Sequence, residues 1–240
     1  MTDKMHGESF IGILMLNTTF PRILGDIGNP ETFEFPVRYR MVEEGTVNRV
    51  LDPKGDSTLI EPFVNAAREL EREGAAALFT SCGFLAIFHK ELVDAVDIPV
   101  FSSNLLQVRL ARSVIKKTKS IGILTASARS LTRRHFEGAG IEDIPVVVAG
   151  MDAAEEFNQE FVEGGKVLNV ERCRKEIVSV ATELVAEHPD IGALVLECTN
   201  MAPFSDAIQQ AVKLPIFDVN MLIRYVYSTL VMTRYKSVLS

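Results

Sequence analysis

Short apolar, β-branched runs alternate along this chain with longer stretches whose apolar residues return every three or four positions. That rhythm predicts parallel strands covered by helices, an α/β fold. Strands are expected at FIGILML (10–16), AALFTS (76–81), IPVFSS (98–103), SIGILTA (120–126), IPVVVA (144–149), IGALVLE (191–197) and LPIFDV (214–219). In STLIEPFVNAAREL, residues Leu59, Ile60, Phe63, Val64, Ala67 and Leu70 share one helical face, with Asp56 or Ser57 as N-cap. Ile177, Val180, Ala181, Leu184 and Val185 do the same in CRKEIVSVATELVAEH.

The pattern is written twice. IGIL occurs at Ile11–Leu14 and again at Ile121–Leu124, an offset of 121 − 11 = 110. Cys82 and Cys198 differ by 198 − 82 = 116, and the prolines of IPVF and LPIF differ by 215 − 99 = 116. Each half therefore runs from an IGIL strand through a long excursion to an apolar strand ending in cysteine, then a helix, then a proline-opened strand. Three landmarks in register indicate internal duplication. Two similar lobes related by a pseudo-twofold place the two cysteines in equivalent positions. Both fall at the carboxyl ends of strands, where open α/β sheets gather their ligands.

Helical sequence follows each of these cysteines, and a helix start stabilises both a thiolate and a bound carboxylate through its free N–H groups. Packing alone accounts for a single buried thiol; it does not require cysteine twice at the same place. Cys173 has no counterpart, lies in a helical stretch and reads as packing or surface. Two opposed acid/base groups suit inversion of a stereocentre, one removing a proton from carbon while the other delivers one to the opposite face.

Composition narrows the partners. The 240 residues are 47% hydrophobic and 24% charged, with a net charge of −7, no Trp and three Cys. A small-molecule carboxylate is the expected partner; nucleic acid and membrane are not, and a homo-oligomer is left open. The N-terminus lacks a signal-peptide layout, which with unpaired cysteines leads to a cytoplasmic expectation. No metal and no cofactor are expected, since neither CxxC nor HxxxH spacing accompanies the thiols and no phosphate loop occurs.

The segments TSCGF and ECTNM, the paired IGIL strands and the overall length together resemble the aspartate/glutamate racemase superfamily. That group includes cofactor-independent amino acid racemases, hydantoin racemase, maleate cis-trans isomerase and arylmalonate decarboxylase. The resemblance implies two pseudo-symmetric α/β lobes, each a four-stranded parallel sheet flanked by helices, with the active site between them and the C-terminal helix crossing back. The lobes are expected at residues 1–103 plus 215–240 and at 104–214. Carried over by position, Cys82 and Cys198 are the acid/base thiols. Asn17, Thr18, Ser81, Gly83, Thr199 and Asn200 surround them as substrate contacts. The implied activity is racemisation or epimerisation of a small carboxylate, with an acidic amino acid as the leading substrate. A maleate isomerase-like or hydantoin racemase-like enzyme and a non-catalytic binder are the alternatives. Gly83-Phe84 departs from the Asn-Thr that follows the first cysteine in many family racemases.

The stretch at 22–42 is rich in turn residues, Arg and Phe, and reads as an ordered loop over the cleft, with Arg38 or Arg40 offered to a second carboxylate. The histidines carry no assigned chemistry: His89 reads as a partly exposed helix residue, His135 and His188 as helix-end residues facing water or the last carbonyls, and His6 as part of a disordered terminus. Glu197, just before Cys198, is close enough in sequence to affect the thiol's proton affinity, although strand alternation is expected to turn it away.

Overall fold

The structure is a computed structural model and describes residues 9–232; His6 lies outside them. The first lobe comprises β1 (Phe10–Leu16), β2 (Val37–Val42), α1 (Val47–Val50), α2 (Ile60–Arg72), β3 (Ala75–Thr80), α3 (His89–Ala95) and β4 (Val100–Phe101), followed by α4 (Val108–Val114). The second comprises β5 (Ser120–Thr125), α5 (Arg133–Gly138), β6 (Val146–Gly150), α6 (Glu155–Phe157), α7 (Val170–Glu187), β7 (Ile191–Leu196), α8 (Ser205–Val212) and β8 (Ile216–Phe217), followed by α9 (Val219–Leu230). The two four-stranded parallel sheets have orders β2-β1-β3-β4 and β6-β5-β7-β8.

The duplication extends to single pairings. Ile11 lies opposite Ala77 and Ile121 opposite Ala193, each just after an irregularity in the ladder. Leu78 pairs with Val100 as Leu194 pairs with Ile216. The repeated IGIL has a packing cause. A Cβ on Gly12 would meet Leu78 at 2.7 Å, and one on Gly122 would run into Leu194. Each sheet thus needs a glycine where a leucine of the neighbouring strand crosses it.

The helices are exchanged between lobes. Val108 and Ala111 of α4, which follows the first sheet, pack with Ile121, Ile123, Ala193 and Val195 of the second. Leu222, Ile223 and Val226 of α9, which follows the second sheet, return to Ile11, Ile13, Ala77 and Phe79 of the first. Each sheet is thus covered on one face by its own helices and on the other by a helix from the opposite lobe, which locks the lobes together. β8 pairs with β7, so the boundary expected at 214/215 cuts off the last strand of the second sheet, and the return begins at α9.

The stretch 22–42 is only partly a loop. Its last six residues form β2, an edge strand whose Arg38 and Arg40 alternate outward. Such an edge needs polar residues on its free side, and they mask its apolar period. The expected α-helices do not begin directly at the cysteines. A six-residue 3-10 segment intervenes in each lobe, Gly83–Phe88 and Thr199–Phe204, before α3 and α8. Among the described residues no helix is long and apolar enough to cross a membrane, and no group of three or more His, Cys, Asp or Glu is placed to hold a metal ion.

Candidate active site

Cys82 and Cys198 sit at matching N-cap positions of the two 3-10 segments, with ψ of 121° in both. They line one pocket between the lobes, about 460 Å³ of space with its open mouth included. Its wall is largely apolar, from Leu16, Phe20, Val47, Val50, Leu51, Phe84 and Phe161; Thr18, Arg22, Ser81, Glu197, Thr199 and Asn200 supply the polar groups.

The floor is tied across the lobes. Thr199 Oγ1 donates to the Ser81 carbonyl at 2.6 Å, and the Leu16 N–H donates to Ser81 Oγ at 2.9 Å. These hydroxyls hold the two strand ends in register. Asn200 Oδ1 is buried without a partner among the described residues, leaving an acceptor available to a ligand.

Burial drives both thiols toward the neutral form. The Cys82 thiol is pushed up to about 12, chiefly by desolvation and then by the Glu197 charge, against the Phe84 N–H and Arg22, which favour its thiolate. Cys198 is pushed well above its ordinary value by the same two causes, with Cys82 and Asp26 adding to them against the Asn200 N–H. Each thiol is thus eased by the N–H two residues on. Arg22 acts on Cys82 alone, which makes it the more readily ionised of the two.

Arg22 was not foreseen. Its Nη1 donates to Asp26 Oδ1 at 2.8 Å and its Nη2 to Thr18 Oγ1 at 2.8 Å, and its guanidinium lies 4.3 Å from the Phe20 ring centroid. Asp26 is buried and also accepts from the Gly28 N–H at 2.7 Å. Residues 22–32 form a strap fastened to α9: Asn220 donates to the Gly25 carbonyl at 2.7 Å and Arg224 to the Thr32 carbonyl at 2.8 Å. Gly25 has φ 93° with its Cβ position 3.0 Å from Pro203 Cα, so the strap needs glycine there. The only sequence signal for this arrangement is the i,i+4 spacing of Arg22 and Asp26 ahead of a Gly-Asn-Pro turn.

Other expected residues lie elsewhere. Arg38 is on the outer edge, stacked over Phe10 and facing Glu73, and Arg40 pairs with Glu69 and Glu73; neither lines the pocket. Asn17 donates to Glu43 and belongs to the adjoining surface depression, which shares Thr18 and Phe20 with the pocket. His135 does not face water. It is 1% exposed, closes a capping box with Thr132 and meets Phe84 edge-on. His89 is half-buried and hydrogen-bonded to Ser102 Oγ at 2.8 Å. Cys173 is fully buried in α7. Glu197 does not turn away from the site; β7 ends at Leu196, and the carboxyl of the next residue lies buried against Gly83, beside the pocket.

Comparison with known proteins fits this architecture. Dimethylsulfoniopropionate lyase from Durusdinium sp. clade D is 32% identical over 214 residues, covering 87% of this chain and 70% of that protein. Dimethylsulfoniopropionate lyase 7 from Emiliania huxleyi is 30% identical over 217 residues, covering 87% of this chain and 63% of the relative. Among solved structures, unliganded arylmalonate decarboxylase shares the fold with a TM-score of 0.59 at 14% identity, covering 97% of this chain and 96% of its own. The sequence pattern of the Asp/Glu/hydantoin racemase family matches residues 48–223, and the chain belongs to that family.

Proposed function

We propose that this chain is a carbon-acid enzyme that removes the proton next to the carboxylate of a small substrate, with Cys82 as base and Cys198 opposite it. The observation that carries this reading is that two thiols from equivalent positions of a duplicated fold line one pocket together with a braced arginine. Arg22 receives the substrate carboxylate, its remaining N–H groups directed by Asp26 and Thr18. The charge that develops on deprotonation spreads into that carboxylate, where Arg22 and the N–H groups of the 3-10 turns stabilise it.

Two outcomes diverge after this step. In racemisation, as for an acidic amino acid, Cys198 returns a proton to the opposite face. In β-elimination the carbanion's electron pair forms a C=C bond, and the leaving group departs with the pair of its own bond to carbon; a sulfonium leaves as a neutral sulfide. The second outcome is favoured by the relatives' activity and by the pocket's chemistry. Among the described residues the only acid in the wall is the buried Glu197, a poor partner for a strongly hydrated ammonium, whereas the apolar wall around Phe20 and Phe161 suits a weakly hydrated sulfonium. The proposed substrate is therefore a short carboxylate bearing a sulfonium at the β-carbon.

Incubation with dimethylsulfoniopropionate, with headspace chromatography for dimethyl sulfide, tests this. L-aspartate, L-glutamate and 5-substituted hydantoins in heavy water, followed by NMR, test the racemase outcome. Sulfide release lost in Cys82→Ser supports the reading. If neither sulfide nor α-deuteration exceeds the Cys82→Ser background, the carbon-acid assignment fails.

A further inference from the structure

The two half-sites share the cysteine but differ around it, and one of the differences puts a buried acid in the second lobe alone. With the offset of 116, Glu197 corresponds to 197 − 116 = 81, a serine. Both residues donate their backbone N–H to equivalent strands, Ser81 to the Leu14 carbonyl at 2.9 Å and Glu197 to the Leu124 carbonyl at 2.8 Å. Glu197 has no exposed surface. Its Oε2 accepts from Thr125 Oγ1 at 2.7 Å, while Oε1 is buried without a hydrogen-bond partner among the described residues. A bare buried carboxylate oxygen is costly, which points to a proton it can take up. Oε1 lies on the Gly83 side, since a Cβ on Gly83 would collide with it. The glycine after the first cysteine is what lets the carboxyl approach the turn carrying that thiol. The ionisable groups lining its pocket are Cys82 from the end of β3, Cys198 next along the chain and Arg22 from the strap, with Asp26 paired to Arg22.

We propose that Glu197 is the proton partner of the thiol pair: the Cys82 thiolate forms by passing its proton to Glu197, so that carboxyl and thiol share one negative charge. The S–H bond breaks with its electron pair left on Sγ, and an O–H bond forms on Oε1. Glu197 acts through the thiol and is a positioning residue; only the use made of the thiolate rests on the function proposed above. Two electrostatic facts agree. Burial raises Glu197 to about 7 against the Thr125 and Ala126 hydrogen bonds, and its charge is a leading cause of the raised values of both thiols. A neutral Glu197 relieves the thiol that a charged one suppresses.

The test needs no substrate. Alkylation of Cys82 by iodoacetamide is followed by peptide mass spectrometry from about pH 5 to 10. In the unmodified protein the rate should climb tenfold per pH unit to about pH 7 and then flatten, because the proton that must leave has already left Glu197. In Glu197→Gln the climb should continue, exceeding the parent about tenfold at pH 8 and about a hundredfold at pH 9. Thr125→Val keeps the carboxyl but removes the donor to Oε2, and should move the flattening to higher pH. A parent curve without a break, a Glu197→Gln curve superimposed on it, or an unmoved break in Thr125→Val each overturns the proposal. None of these results touches the substrate assays, so the two readings fail separately.

Discussion

The lobes are held at their junction by a staple whose strength can be worked out from the structure. Asn104 is 1% exposed. Its Nδ2 donates to the Leu196 carbonyl at 2.7 Å and to the Phe217 carbonyl at 2.9 Å, the ends of β7 and β8, and its Oδ1 accepts from Gln107. Gln107 in turn donates to the Asp218 carbonyl at 2.9 Å. Asn104→Ala strands two buried carbonyls, each costing about 1–3 kcal/mol, and frees one Gln107 hydrogen. A loss of about 3 kcal/mol is expected, lowering Tm by roughly 6–12 °C for a chain of this size. The duplication supplies a control. Asn220 stands 220 − 104 = 116 residues on, at the equivalent position, yet among the described residues its side chain makes a single bond, to the Gly25 carbonyl at 2.7 Å. Asn220→Ala should cost about 1 kcal/mol. Urea unfolding followed by circular dichroism reads both through the midpoint at constant slope. Equal losses in the two variants would refute the argument, because burial and composition are then what matter rather than the bridging of two strands.

Three further outcomes are expected. Cys82→Ser should abolish proton removal from any substrate, whereas Cys198→Ser should block racemisation and spare a good part of any elimination, as read by NMR and sulfide release. Arg22→Lys, which keeps a charge beside Asp26, should lower kcat/KM for dimethylsulfoniopropionate about 10- to 100-fold, the value of a charged hydrogen bond, while Arg38→Ala should leave it within about twofold; the reverse order would return the carboxylate to the outer edge. The third concerns pH and stability. His135 falls from 6.5 to about 4, so the unfolded chain binds a proton there that the native one does not, and stability drops as pH falls through that window. Glu197 rises from 4.5 to about 7, so the native chain holds a proton the unfolded one releases, and stability drops as pH rises through that window. The two nearly cancel between about pH 4.5 and 6.5. Glu197→Gln should therefore gain about 2 kcal/mol relative to the parent between pH 5 and 6.5, and parallel urea midpoints in the two proteins would contradict these assignments.

Much of the architecture is legible along the chain because it depends on local periodicity and on a repeat. Apolar runs name every strand but β2, and the offsets of 110 and 116 recur in the ladder pairings. The repeat also picks out Cys82 and Cys198 as equivalents without any knowledge of the pocket. β2 escapes because Arg38 and Arg40 face solvent on an edge, and an arginine's destination is decided by which strand face is free.

What only the tertiary structure decides is which side chains from distant segments share one space. Arg22 joins the pocket and acts on Cys82 while its strap is fastened to α9, some two hundred positions away. Glu197 sits beside the glycine turn of the other lobe, and His135 is buried by Phe84 from across the same junction. Periodicity records how each residue relates to its own strand or helix. Desolvation and charge, which set the chemistry, depend on what the opposite lobe presses against it.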